Sequence, residues 1–98
     1  MGIAVVTVIG ANGTMGLRVS ALFGAFGNCK VYMVCKDQNK AMTAKEQAIH
    51  TINCKELENN LIPETLDNLE QCIECSDLVY ESVAEDLEIK QQILKNLN

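Results

Sequence analysis

The sequence predicts an α/β domain with a doubly wound parallel sheet, and three observations lead to that prediction. The chain opens with an apolar, β-branched run, Ile3-Ala4-Val5-Val6-Thr7-Val8-Ile9, which is typical of a strand buried on both faces of a parallel sheet. All six glycines fall within the first 27 residues. Strand-like and helix-like segments then alternate along the chain, an order that favours parallel strands joined by helices.

The first half of the chain supplies two strands and two helices. The stretch from Gly10 to Gly16 forms the turn after the first strand, and the helix that follows is expected to end at Gly24 and Gly27. A run of strand formers, Lys30 to Cys35, is predicted to return beside the first strand. Asp37 or Asn39 can cap the next helix. The apolar residues of that helix recur at helical intervals: Ala41, Ala44, Ala48 and Ile52.

The second half has a weaker pattern at first and a clear one at the end. A short edge strand is expected near Leu61–Leu66, around the only proline, and a brief amphipathic helix from Leu66 to Cys75. Asp77 to Val83 is predicted to be another buried strand. Glu85 to Leu97 is predicted to be helical, because Ile89, Ile93 and Leu97 recur every four residues.

Composition fits one domain over residues 1–98 and excludes several classes of function. The net charge is −5, and all 13 acidic residues lie after position 36. Such a chain lacks the clustered Lys and Arg that phosphate contacts require, so nucleic acid is not an expected partner. No apolar run approaches the roughly 18 residues of a membrane span, and no basic leader precedes the first strand. The sequence therefore predicts a cytoplasmic protein without a membrane partner.

The cysteines are interpreted as reduced, mostly buried thiols. Their number, five, is odd, and no secretory signal accompanies them. Cys72 and Cys75 form a C-x-x-C, which would suit redox chemistry or half of a zinc site. A second C-x-x-C is absent from the sequence, and the single histidine, His50, is far away along the chain. On a helix this spacing is also an ordinary arrangement of core residues, so no metal site is predicted.

The glycine turn is the main candidate for a binding site. Missing side chains let the backbone approach a ligand, while N–H groups and the positive end of the helix dipole favour a phosphate. A preceding strand and a following helix indicate dinucleotide binding, whereas the alternative is a turn that only reverses the chain. The candidate cofactor-binding residues of the turn are Gly10, Ala11, Asn12, Gly13, Thr14, Met15 and Gly16.

The spacing of this turn is G-x-x-G-x-x-G, one residue longer than the usual dinucleotide fingerprint. Asn12 is therefore expected to be absorbed by a wider turn, which is feasible because Asn tolerates a left-handed conformation. Gly16, the last glycine, is expected to permit close packing of the helix on the strand.

The end of the second predicted strand bears on the choice of cofactor. An acidic residue about 20 residues after the turn usually binds the adenosine ribose, but Cys35 takes that position. Asp37 follows two residues later, beyond reach at about 3.3 Å per residue unless the loop folds back. Lys36 could meet the extra phosphate of NADP, or it is a solvated loop residue. With Cys35 and Lys36 as candidate ribose-side residues, the sequence predicts NAD as the cofactor and does not exclude NADP.

Two blocks of sequence resemble a known family. The first runs from Val8 to Gly16 and continues into the helix that ends at Gly27. The second runs from Asp77 to Lys90 in the pattern D-L-V-x-E-x-V-x-E-x-L-x-x-K, which is much more specific than a glycine turn. Together they resemble the NAD-binding, N-terminal domain of 3-hydroxyacyl-CoA dehydrogenases. The resemblance implies a Rossmann-like doubly wound parallel sheet.

The same resemblance implies a function. In the complete enzyme, hydride passes between NAD and a 3-hydroxyacyl-CoA, a reaction of fatty acid metabolism. The glycine loop would hold the pyrophosphate, and Glu85 and Lys90 would lie near the nicotinamide-ribose half. The family's catalytic residues come later than Asn98, so residues 1–98 are expected to be the N-terminal portion of the domain. That portion is expected to contain no catalytic residue and to be inactive alone, with acyl-CoA a partner only of the complete enzyme.

A dinucleotide is thus the expected ligand, and a homodimer is expected because an incomplete sheet leaves an unpaired strand edge. Two alternatives to the dehydrogenase interpretation remain. One is a fragment of another β-hydroxyacid or epimerase-type Rossmann enzyme, although Tyr80 has Ala84 where epimerases place a lysine. The other is a non-catalytic nucleotide-binding or assembly module, with which Cys35 would be consistent.

Overall fold

Four parallel strands form one sheet, and the first strand lies in its interior. The computed structural model describes residues 3–81. In chain order the strands are β1 (Val5–Ile9), β2 (Lys30–Cys35), β3 (Leu61–Thr65) and β4 (Leu78–Glu81). Their order across the sheet is β3-β2-β1-β4, with every pairing parallel. Because β4 returns to the side of β1 opposite β2, the predicted doubly wound α/β class is confirmed.

The connections between the strands are helical. They are α1 (Thr14–Ala25), α2 (Gln38–Thr51), α3 (Leu57–Asn60) and α4 (Leu69–Cys75), the last preceded by a single 3₁₀ turn at Leu66–Asn68. The short helix α3 is not expected from the sequence, whereas the edge strand and the helix after it lie at their predicted positions. No helix within residues 3–81 is long and apolar enough to cross a membrane. The helix predicted over residues 85–97 lies outside the described residues.

Both faces of the sheet are covered by side chains. On one face, Val6, Val31 and Met33 are fully buried beneath α1 and α2. The α2 residues that pack there are small, namely Ala41, Ala44 and Ala48, which lets the helix lie close to the sheet. On the other face, Ile9 and Val34 pack against Leu69 and Cys72 of α4. A strand buried on both faces, as predicted for the opening apolar run, is therefore confirmed for β1.

β4 is less buried than the sequence predicts. Its residues are half-buried, and Glu81 at its end is exposed. Among the described strands β4 pairs only with β1, so one of its edges has no strand beside it within residues 3–81.

α1 ends where the sequence predicts, because its last residue is Ala25 and its C-cap, Phe26, directly precedes Gly27. The left-handed residue of the loop that follows is Asn28, at φ 49°. Gly27 also provides space, because a Cβ at this position would lie 2.9 Å from the Phe23 carbonyl oxygen. Gly24 lies inside α1, and its carbonyl oxygen accepts a hydrogen bond from Asn60 Nδ2 at 2.9 Å. The same amide donates to Asn28 Oδ1 at 3.1 Å, which holds the loop against the end of α3.

Asp77 joins the amino-terminal ends of β1 and β4. One of its carboxylate oxygens, Oδ2, accepts hydrogen bonds from the backbone N–H groups of Ala4 and Val5, at 2.9 Å and 3.0 Å. The Asp77 N–H in turn donates to the Val5 carbonyl oxygen at 2.8 Å. The two N–H donors, Ala4 first, lower the pKa of Asp77 below its ordinary value of 3.8.

The lowered pKa predicts how stability depends on pH. A carboxyl group with a depressed folded-state pKa stabilises the fold above its unfolded pKa, and that contribution is lost as pH falls through the folded value. Replacing Asp77 with Asn should therefore lower the Tm at neutral pH, and the difference from wild type should shrink below about pH 4. Thermal unfolding followed by circular dichroism measures this, and a Tm difference independent of pH would contradict it.

Candidate functional site

The candidate site lies at the carboxyl ends of the central strands. The glycine turn leaves the end of β1, and β4 ends directly beside it, with Ile9 paired to Glu81. From this point the chain connections lead in opposite directions across the sheet, because β2 pairs with one edge of β1 and β4 with the other. In open α/β sheets, ligands bind in the crevice that forms outside the strand ends at such a switch point.

Gly10 gives the turn its shape. Its φ is 79°, a left-handed conformation that glycine adopts without strain. Gly10 N–H donates to the Val34 carbonyl oxygen at 2.9 Å, and Gly13 N–H donates to the Gly10 carbonyl oxygen at 3.0 Å. Asn12 does not use the left-handed conformation that asparagine tolerates: its φ is not positive, and the left-handed residue of the turn is Gly10.

The beginning of α1 is suited to an anion. Gly13 is its N-cap residue, so no side chain caps the helix, and its first turn contains no acidic residue. The first N–H groups of an α-helix have no acceptor within the helix, and the dipole adds partial positive charge there. Thr14 and Met15 are exposed, whereas Gly16 is buried against the body of the domain. The residues present therefore fit a bound phosphate group.

The hydrogen bonds within the turn decide which of its N–H donors are available to a ligand. In the structure, Gly10 and Ala11 both donate to the Val34 carbonyl oxygen, at 2.9 Å and 3.4 Å, and Gly13 also has a backbone partner. Apart from the Asn12 N–H, which faces the Cys35 thiol, the N–H groups that remain for a ligand at this site are those of the first turn of α1.

Cys35 lies beside the glycine turn, at the end of β2. It is 1% exposed, and the backbone N–H groups of Asn12 and Ala11 lie close enough to its thiol to affect the pKa. Burial raises the pKa of the Cys35 thiol above 9.0, although those two N–H donors partly oppose the shift. The position that usually carries the ribose-binding acid thus holds a neutral thiol at physiological pH. Lys36, the next residue, is exposed.

A polar cavity of about 300 Å³ opens between the glycine turn and α2. Its lining consists of Asn12 from the turn and, from α2, Asn39, Lys40, Thr43, Ala44 and Gln47. Of this set, only Asn12 is a candidate site residue predicted from the sequence. A signal for the others is present, because Lys40, Thr43 and Gln47 recur at helical spacing and follow one side of the buried alanine stripe.

The remaining candidate residues are separated from this site or lie beyond the described residues. Glu85 and Lys90 lie outside residues 3–81. His50 is exposed in the last turn of α2, as expected for a surface histidine. The two cysteines of the C-x-x-C differ in exposure, because Cys72 is buried and Cys75 is exposed. The expectation that both thiols belong to the core is therefore wrong for Cys75. Burial, with smaller effects of Glu64 and Cys75, raises the pKa of Cys72 to about 11.

Fold and site together define a class of protein. A parallel sheet in this order, with a glycine turn that leads into an uncapped helix at the switch point, is a Rossmann-like domain of the dinucleotide-binding class. The family follows from the sequence itself: residues 5–98 match the family described as 3-hydroxyacyl-CoA dehydrogenase, NAD binding domain. The chain belongs to this family, and its cofactor is NAD.

A solved structure shows the same fold. It is a diketoreductase, determined in work on its substrate-directed dual catalysis of dicarbonyl compounds, and it aligns with a TM-score of 0.71 at 24% sequence identity. The alignment covers 99% of this chain and 38% of the diketoreductase chain. The chain therefore spans well under half the length of that relative. None of the curated protein sequences matches the chain.

Proposed function

We propose that the chain holds NAD for hydride exchange with a 3-hydroxyacyl-CoA. The observation that carries this proposal is the start of α1, which has no side-chain cap and no acidic residue and closely follows the left-handed Gly10. Bound NAD supplies the hydride chemistry, while this chain's own residues bind and orient it. Substrate recognition and catalysis belong to the complete enzyme.

Each candidate residue has a place in this proposal. The turn from Gly10 to Gly16 holds the pyrophosphate, with the first N–H groups of α1 as its donors. Cys35 and Lys36 lie at the adenosine ribose. Glu85 and Lys90 contact the nicotinamide-ribose half; this role rests on the resemblance of their sequence block to the family.

The wider setting belongs to the same proposal. Residues 1–98 act as the amino-terminal portion of the dinucleotide-binding domain, in an enzyme of fatty acid metabolism that also binds acyl-CoA. A cytoplasmic location is supported by five cysteines that are all free thiols. A homodimer is supported by Leu22 and Phe26, apolar residues four positions apart at the end of α1 that are 50% and 77% exposed.

Calorimetric titration of the 98-residue chain with NAD tests the proposal. We expect saturable binding and a matching thermal effect: at a free NAD concentration of about 100 times the Kd, the free energy of unfolding should rise by about 2.7 kcal/mol. AMP serves as the control, because it lacks the pyrophosphate that the start of α1 would bind, and it should bind more weakly. Absence of both heat and stabilisation with NAD would favour the alternative of a non-catalytic assembly module.

A further inference from the structure

The cavity between the glycine turn and α2 is rich in hydrogen-bond donors. Four of its six lining residues carry an amide or a hydroxyl group, a fifth is Lys40, and the sixth is Ala44. No carboxylate is among these lining residues. Amide N–H₂ groups, a hydroxyl and an ammonium together suit an oxyanion, and a phosphate in particular.

The size and position of the cavity limit which anion it can take. About 300 Å³ is the lower end of the range for small-molecule pockets, so the cavity holds one group of a dinucleotide and not the whole molecule. Asn12 belongs both to its lining and to the turn proposed to hold the pyrophosphate. Its other wall is α2 from Asn39 to Gln47. This helix follows the end of β2, where the adenosine ribose of a bound dinucleotide lies.

The charges around this position differ from those of an NAD-selective site. Selectivity for NAD normally comes from a carboxylate at the end of the second strand, which bonds the ribose hydroxyls and repels a 2′-phosphate. Cys35 provides no such charge. The nearest carboxylate along the chain, Asp37, is engaged as the N-cap of α2, where its Oδ1 accepts the Lys40 N–H at 2.9 Å, and it does not line the cavity.

We infer that this cavity receives an adenosine 2′-phosphate, so that the chain binds NADP at least as tightly as NAD. Lys40 is the specificity-determining residue, since it is the only cation among the described residues that line the cavity. Asn12 and Thr43 complete the set as neutral donors. The inference rests on the proposed dinucleotide site, and it adds a second phosphate position to it.

Calorimetric titration with NADP and with NAD tests this inference. For the wild-type chain, the NADP affinity should equal or exceed the NAD affinity. Replacing Lys40 with Met keeps an unbranched side chain and removes the charge, and it should lower the ratio of NADP to NAD affinity about tenfold. The matched control is Lys55→Met, which removes the same charge from an exposed residue outside the cavity and should leave the ratio unchanged.

A second variant tests the same inference by adding a negative charge where the first removes a positive one. Cys35→Asp restores the carboxylate at the end of β2 and should shift the ratio toward NAD about tenfold or more. Because Cys35 is buried, the folding of this variant is first checked by circular dichroism; the Lys40 experiment does not depend on it.

The outcomes separate this inference from the proposed function. If the wild type binds NAD more tightly than NADP, or if Lys40→Met leaves the ratio of affinities unchanged, the 2′-phosphate position is wrong and the dinucleotide site stands. If neither nucleotide binds, both proposals are wrong.

Discussion

Glutamate in place of Thr14 is expected to weaken NAD binding about 100-fold without harming the fold, which corresponds to about 2.7 kcal/mol. Thr14 is the first residue of α1, is exposed, and belongs to a turn with no acidic residue. A carboxylate there would interact favourably with the helix dipole and would stabilise the fold by about 0.3–1 kcal/mol. The same carboxylate would take the position of the pyrophosphate and repel its negative charges.

Opposite effects on binding and stability make this variant informative. The matched control is Thr14→Gln, which introduces a side chain of the same length as glutamate without the charge and should change the Kd by no more than about threefold. Calorimetry measures the affinities, and thermal unfolding measures the stabilities. If the Thr14→Glu variant bound NAD as tightly as wild type, the start of α1 would not be where the pyrophosphate lies.

The second large effect is expected where α1 crosses α3. A Cβ at Gly24 would lie 2.8 Å from Leu57 Cδ2 and 3.1 Å from Leu61 Cδ2. Both leucines are fully buried and cannot move freely. Gly24→Val therefore forces two methyl groups and a branched carbon into filled space and should lower the free energy of unfolding by about 1–3 kcal/mol.

A double-mutant cycle shows whether this crowding is the cause. Leu57→Ala alone should cost about 2–5 kcal/mol, because it leaves a cavity in the core. In the double variant the valine enters part of that cavity, so the total loss should be smaller than the sum of the single losses by about 1 kcal/mol or more. Urea unfolding measures all four proteins. Simple additivity would show that Gly24 and Leu57 do not compete for space.

The architecture can be predicted from the sequence because the residue patterns that indicate strands and helices lie within single segments of the chain. An uninterrupted apolar run indicates a central strand, and residues 5–9 form it. The alanine spacing between residues 41 and 48 indicates the buried side of α2, and all three alanines are buried. By contrast, α3 is only four residues long, too short for any periodicity to reveal. It forms because Leu57 is buried beneath α1, and that contact is tertiary.

The site is predictable in position but less so in detail. Glycine spacing locates the turn, yet the same spacing cannot show that Gly10, and not Asn12, takes the left-handed conformation. That choice depends on the hydrogen bond from Gly10 N–H to Val34, which forms only when β2 lies beside β1. The polar cavity escapes sequence analysis for a similar reason, since its two walls are separated along the chain and meet only in the folded domain.

The carboxylate of Asp77 also has a consequence during biosynthesis. It holds Ala4 and Val5, from which it is separated by 73 and 72 positions in the sequence. A ribosome releases the chain from its amino terminus, so β1 emerges long before the partner that closes its second edge. Pairings between distant segments also form slowly. Until Asp77 and β4 have left the ribosome, one edge of β1 has no β4 to pair with, and unpaired strand edges make incompletely folded chains prone to aggregate.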